Sequence, residues 1–87
     1  MINYDLIGQT PLVLLESFSD EHVQIYAKLE QFNPGGSIKD RLGKYLVETA
    51  LKEKRIVKGD TIVEATAGNT GIGLAMAANR YHLKCVI

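Results

Sequence analysis

Residues 61–87 run Thr61-Ile62-Val63-Glu64-Ala65, Thr66-Ala67-Gly68-Asn69-Thr70-Gly71, Ile72 to Tyr81, and after His82-Leu83 close on Lys84-Cys85-Val86-Ile87. The first block is rich in β-branched residues and reads as a strand; the second is a small-residue loop. The third is a helix of small and apolar residues, and the last is another strand. A strand, a helix and a strand joined by connections this short argue for parallel pairing. The expected class is therefore α/β.

Working outward, Gly59-Asp60 turns the chain into this unit, and a longer helix precedes it. Ile38, Leu42, Tyr45, Leu46, Thr49 and Ala50 recur at three- and four-residue spacing, which predicts one buried stripe on a helix reaching about Lys54. Ser37 suits its N-cap, and Asp40 three residues on makes an imperfect capping box. Further upstream, Val23 to Glu30 alternates with the period of a strand wet on one face. A polar loop spans Glu16 to Glu21. Before it come a short apolar segment, Leu12 to Leu15, and a turn at Gly8-Gln9-Thr10-Pro11.

The chain thus divides into a turn-and-strand region (1–32), a loop and helix (33–54) and the strand-loop-helix-strand unit (55–87). At 87 residues it holds one small domain at most, and such a domain buries only about 60–65% of its unfolded surface. The final strand stops at Ile87 with no turn or polar tail, so the chain is expected to be a fragment or to complete its sheet with another chain.

Ten basic residues balance ten acidic ones. No basic face calls for nucleic acid or an anionic membrane surface, so neither is an expected partner. No apolar run approaches the ~20 residues of a membrane span. The start lacks a basic segment followed by an apolar one, so no secretory signal is read. The lone Cys85 cannot form an internal disulfide and reads as a small hydrophobe in a strand. A cytoplasmic location is expected. His22 and His82 have no metal-ligand spacing, so no metal site is expected.

Two loops carry candidate chemistry. In Asn33-Pro34-Gly35-Gly36-Ser37-Ile38-Lys39-Asp40-Arg41, a lysine opens a helix, the end where a cation is disfavoured by about 0.3–1 kcal/mol. That setting pushes an ammonium toward the neutral amine, the form that condenses with an aldehyde. The paired glycines leave room for a flat molecule to approach the backbone. Lysines are also common on first turns and most simply point into water, and the spacing leaves both readings open. Asp40 and Arg41 read as a first-turn acid and a solvated or interdomain base.

The second loop, Thr66 to Gly71, lies at the carboxyl end of a strand and opens a helix, where α/β sheets favour anionic ligands. Its amides and hydroxyls suit a carboxylate or phosphate. The glycines at 68, 71 and 73 fall in the wrong order for a dinucleotide fingerprint, and no Gly-Lys-Ser/Thr follows for a P-loop. A tight turn followed by close packing through Gly73 and Ala75 remains the other reading.

The stretches Asn33–Arg41 and Glu64–Ala75, with Ile7-Gly8-Gln9-Thr10-Pro11-Leu12, resemble the N-terminal part of the cysteine synthase/cystathionine β-synthase family. These are fold-type II enzymes dependent on pyridoxal 5′-phosphate. The resemblance implies a truncated piece of their three-layer parallel-sheet domain, with residues 12–30 joining the sheet of the other domain. It implies that Lys39 holds the cofactor covalently and removes the substrate α-proton. It also implies that Asn69 hydrogen-bonds the cofactor's ring hydroxyl, and that Thr66, Ala67, Gly68, Asn69 and Thr70 grip the substrate α-carboxylate. The implied reaction is β-replacement on O-acetylserine or serine by sulfide or homocysteine, in a homodimeric parent. Ala67 and the Gly-Gly-Ser loop lean toward the members that make cystathionine. The phosphate cup of the family lies downstream of anything here, so the 87 residues are expected to bind cofactor weakly or not at all and to show no turnover. The alternative is a non-catalytic assembly fragment that pairs through its open strand edge.

Overall fold

The β-branched run and the run ending the chain form the expected parallel pair. A computed structural model describes residues 3–66 and 68–87. In chain order it contains β1 (Leu12–Leu14), β2 (Tyr26–Lys28), α1 (Lys39–Lys52), β3 (Thr61–Val63), α2 (Asn69–Arg80) and β4 (Lys84–Val86). Short 3-10 turns occupy Tyr4–Leu6, Glu16–Phe18 and Glu30–Phe32. Thr61, Ile62 and Val63 of β3 face Lys84, Cys85 and Val86 of β4, with α2 as the crossover.

Helix α2 begins three residues earlier than the periodicity predicts. Gly68 takes the N-cap position, and its carbonyl accepts from the Gly71 and Ile72 amides at 3.1 and 3.4 Å. Polar residues such as Asn69 and Thr70 obscure the pattern but suit a first turn, whose amides have no intrahelical acceptors. Both helices close on a left-handed residue that is not glycine. Lys54 has φ +59° and His82 φ +58°. Beyond them, Arg55 N–H donates to Ala50 O and Leu83 N–H to Ala78 O, each at 2.9 Å, which satisfies the last carbonyls.

The helices cross in close contact. A Cβ on Gly43 would lie 2.3 Å from the Gly73 carbonyl carbon, and one on Gly73 would lie 2.5 Å from Lys39 O. Beside this crossing, Val47, Leu74, Ala77, Ala78 and Leu83 form the buried cluster, with Leu51, Ile56 and Ile62 packed against it. The half-buried Cys85 also packs there, as its reading as a small hydrophobe predicts.

The stripe predicted for α1 is not the buried one. Ile38, Leu42, Tyr45 and Leu46 are exposed, Tyr45 to 68%. The buried positions are Asp40, Gly43 and Val47, with Leu51 following on the same face. Both sets satisfy helical spacing. Gly43 adds nothing to an apolar pattern, yet it opens the groove that receives α2, and closest approach decides which face is covered.

β1 and β2 pair antiparallel, Leu12 with Lys28 and Leu14 with Tyr26, in a ribbon separate from the β3–β4 sheet. β2 covers only three of the eight residues predicted as strand. Glu30 to Phe32 turn away as a 3-10 helix, and Ser19 Oγ rather than a ladder partner accepts the Ile25 amide at 2.9 Å. The molecule measures 53 × 26 × 25 Å, with a radius of gyration of 16.1 Å. That exceeds the ~12 Å of a compact chain of this length. Among the described residues, no helix is long and apolar enough to cross a membrane.

Candidate active site

The lysine loop leaves the 3-10 turn at Glu30–Phe32 and ends where α1 begins, at Lys39. Lys39 is exposed, and its amide donates to Ser37 Oγ at 3.1 Å. Ser37 therefore serves the turn, but it is not the N-cap. Ile38 takes that position without a side-chain bond. The capping box does not form, because the Asp40 carboxylate turns inward. Asp40 Oδ2 accepts the Gly35 amide at 2.6 Å, and the side chain is fully buried.

Arg41 is anchored, although its side chain stays 41% exposed. Its Nε donates to Glu30 Oε1 at 2.5 Å, and its Nη2 to Glu30 Oε2 at 3.1 Å and to Gly8 O at 3.0 Å. Thr10 Oγ also donates to Glu30 Oε2, at 2.5 Å, and Lys28 Nζ donates to Thr10 O. The bond from Arg41, joined by that from Thr10, holds the Glu30 carboxyl down at about 2. Buried Asn33 completes the mesh. Its Oδ1 accepts the Gly8 amide at 2.8 Å, and its Nδ2 donates to Glu30 O at 2.9 Å. The turn at Gly8–Thr10 and the lysine loop are thus one hydrogen-bonded body. At Gly8, φ is +87° and a Cβ would come within 3.0 Å of Arg41 Nη1, so this approach needs glycine.

Of the second loop, Thr66 is half-buried, and its Oγ accepts the Gly68 amide at 3.3 Å. Its methyl lies where a Cβ on Gly71 would fall, 2.8 Å away. Asn69 and Thr70 are the first two residues of α2, helical rather than loop. Their amides belong to the set that a helix leaves for an anion. Ala67 lies outside the described residues. The helix crossing brings the two loops together. Gly73 abuts the Lys39 carbonyl, and Asn69 lies about one turn before Gly73 on α2. A Cβ on either Gly36 or Gly68 would meet nothing within 4 Å, so both loops keep an open face. An exposed amine, an exposed amide side chain and a helix mouth with open glycines beside them could hold a flat aldehyde cofactor and a carboxylate substrate.

A broad concavity lies elsewhere, and neither Lys39 nor Asn69 lines it. About 810 Å³ in volume, it lies against Tyr4, Ile72, Ala75, Met76 and Arg80. Beside it, Glu48 accepts from Tyr81 Oη at 2.6 Å and Tyr4 Oη at 2.8 Å, and the two rings meet edge to face at 5.9 Å. Burial raises the Glu48 carboxyl, but the two hydroxyls with Lys44 and Arg80 more than offset this and leave it below its ordinary value. Burial first, and Glu48 second, push the Tyr4 phenol well above its ordinary range. This cluster ties the N-terminal turn to α1 and to the end of α2. Among the described residues no group of three His, Cys, Asp or Glu side chains could hold a metal ion.

Sequence reasoning missed Glu30, Asn33 and the inward turn of Asp40. Asn33 and Asp40 stand inside the quoted motif, and their burial was the part that no pattern carried.

A model of the family described as pyridoxal-phosphate dependent enzyme matches residues 4–87. The chain is 57% identical over 83 residues to the O-acetylserine dependent cystathionine beta-synthase of Bacillus subtilis, covering 94% of this chain and 27% of that protein. It is 49% identical over 86 residues to a cysteine synthase of Helicobacter pylori, covering 94% and 28%. The crystal structure of cystathionine beta-synthase from Bacillus anthracis superimposes with a TM-score of 0.80 at 54% identity, covering 94% of this chain and 31% of that one. The chain spans about a quarter to a third of the length of these relatives.

Proposed function

Since the chain belongs to the family of pyridoxal-phosphate dependent enzymes, we propose that it supplies the reactive lysine and the substrate-carboxylate loop of a β-replacement enzyme of cysteine or cystathionine formation. The observation that supports this reading is the crossing at Gly73, where the backbone of the exposed Lys39 packs against the second turn of α2.

In this reading Lys39 would hold the cofactor, and its Nζ would take the substrate α-proton. The side chain of Asn69 hydrogen-bonds the ring hydroxyl. The segment Thr66 to Thr70 holds the α-carboxylate through helix-start amides and hydroxyls. The bound cofactor supplies an electron sink for the charge left on the α-carbon. The substrate is O-acetylserine or serine, and the incoming nucleophile is a thiol, sulfide or homocysteine. Ala67 and the Gly-Gly-Ser loop favour homocysteine, in line with the name of the Bacillus subtilis relative. The complete enzyme would be a cytoplasmic homodimer. The 87 residues by themselves hold cofactor weakly and turn nothing over, because they span only about a quarter to a third of such an enzyme.

The test is a graft in which residues 4–87 replace the matching segment of the Bacillus subtilis relative. The grafted enzyme is expected to carry the visible absorption of lysine-bound cofactor and to form cystathionine. Lys39→Ala is expected to abolish both. A graft that folds and loads cofactor equally well with Ala at position 39 would disprove the assignment.

A further inference from the structure

Asp40 is the one large side chain of the described residues that is fully buried. It lies away from the apolar cluster, which begins about two turns later at Val47. Its Oδ2 accepts the Gly35 amide at 2.6 Å, while Oδ1 has no partner among the described residues. A Cβ on Gly35 would fall 2.3 Å from that Oδ1, so the loop closes over the carboxylate only as glycine. On the other side, the position a Cβ would take on Gly73 is 3.2 Å from the Asp40 Cα. The residue is enclosed between the lysine loop and α2.

We infer that Asp40 is a positioning residue for the Lys39 amine: its buried carboxylate latches the Gly35–Gly36 bend to the first turn of α1 and sets the rotation of that turn. This rests on Lys39 being the amine that holds the cofactor. Neighbouring residues on an α-helix point about 100° apart. With Asp40 fixed inward, Lys39 is held outward, toward the open face it shares with the start of α2. Packing alone does not account for the residue. A buried carboxylate with one oxygen unsatisfied is costly, and a small apolar side chain would fill the space without that cost. What an apolar side chain cannot do is accept the Gly35 amide. Departures from the apolar rule of this kind concentrate at functional sites. The latch acts on the backbone path from Gly35 to Lys39 and touches no substrate atom itself.

The experiment uses the complete grafted enzyme loaded with pyridoxal 5′-phosphate. Borohydride reduction followed by peptide mass analysis reads the fraction of cofactor trapped on residue 39, and circular dichroism reports folding. Three variants are compared. Asp40→Ala removes the latch. Asp40→Asn keeps an acceptor for the Gly35 amide. Val47→Ala weakens the same helix without touching the latch. Asp40→Ala is expected to lower trapping on Lys39 about tenfold or more, the scale of one lost charge-assisted hydrogen bond. Asp40→Asn and Val47→Ala should stay within about twofold of the unaltered graft. Trapping by Asp40→Ala equal to that of the unaltered graft overturns the latch, and so does a loss equal to that of Val47→Ala. If Asp40→Ala does not fold, Asp40→Asn decides: a folded Asn variant that has lost trapping overturns it, and one that retains trapping supports it. An unaltered graft that traps nothing on Lys39 refutes instead the assignment of the lysine, and the latch with it.

Discussion

The glycine crossing of α1 and α2 gives the sharpest prediction. A Cβ added at Gly43 would lie 2.3 Å from the Gly73 carbonyl carbon, 2.5 Å from its oxygen and 2.6 Å from the Leu74 nitrogen. Carbon atoms rest at about 3.5–4.0 Å, so α1 and α2 would have to part by roughly 1 Å or more. All three obstacles are backbone, and no side-chain rotation relieves them. Alanine favours the helix by about 1 kcal/mol over glycine. Overpacking of this kind costs about 1–3 kcal/mol, and parting the helices also loosens Val47 against Leu74 in the core cluster. The balance is a net loss of about 1–2 kcal/mol, or a fall in melting temperature of roughly 5–15 °C for a chain this small. Thermal unfolding followed by circular dichroism measures it, with Gly71→Ala as the control. There the nearest obstacle is the Thr66 methyl at 2.8 Å, a side-chain group, so the cost should stay below about 1 kcal/mol. A Gly43→Ala chain that melts at or above the unaltered temperature would refute the argument, since helix propensity would then have outweighed the contact.

Three further outcomes are expected. Glu30 is held at about 2, below its ordinary 4.5, chiefly by Arg41; a depressed carboxyl contributes stability that is full above pH 4.5 and lost as pH falls toward 2. Urea midpoints across that window should fall less steeply for Glu30→Gln. Tyr4→Phe and Tyr81→Phe each remove a donor to the partly exposed Glu48 and should cost about 1 kcal/mol. The double variant should lose more than the sum in a denaturation cycle, because the carboxylate then has neither hydroxyl. Lys54→Gly should gain about 0.5–1 kcal/mol, since glycine takes the left-handed conformation without a Cβ penalty, whereas Lys54→Ala should gain nothing.

How far the sequence could be read depended on which force placed each residue. The β3–α2–β4 unit was legible because a β-branched run, a short connection and a helix admit few arrangements. The position of Lys39 at a helix start followed from glycines and loop chemistry, whereas Asn69 and Thr70 read as loop and open α2. The buried face of α1 did not follow, since Gly43 has no hydrophobicity for a periodic pattern to detect and yet it decides where α2 lies. The inward turn of Asp40 and the anchoring of Arg41 did not follow for a related reason. Their partners, Gly35 and Glu30, are set by the path of the loop, and charge at a first turn looks the same whether it meets water or a backbone amide. Glu30 read as the end of a strand because the alternation carries on past Lys28, where the ladder stops.

The molecule separates two tasks along one pair of helices. From Val47 onward, α1 and α2 are joined by an apolar cluster with Leu74, Ala77 and Ala78, and this end supplies cohesion. At the other end Ile7 is buried beside three polar side chains, Thr10, Asn33 and Asp40. Hydrogen bonds are directional where apolar contacts are not, so this end specifies a geometry at the expense of stability. The glycine crossing joins the two ends. It transmits the rigidity of the core to Lys39 through backbone contact at Gly73, with no intervening side chain to rotate. A change in the polar mesh should therefore disturb the placement of the amine while the apolar end stays folded. A change at the crossing should disturb both.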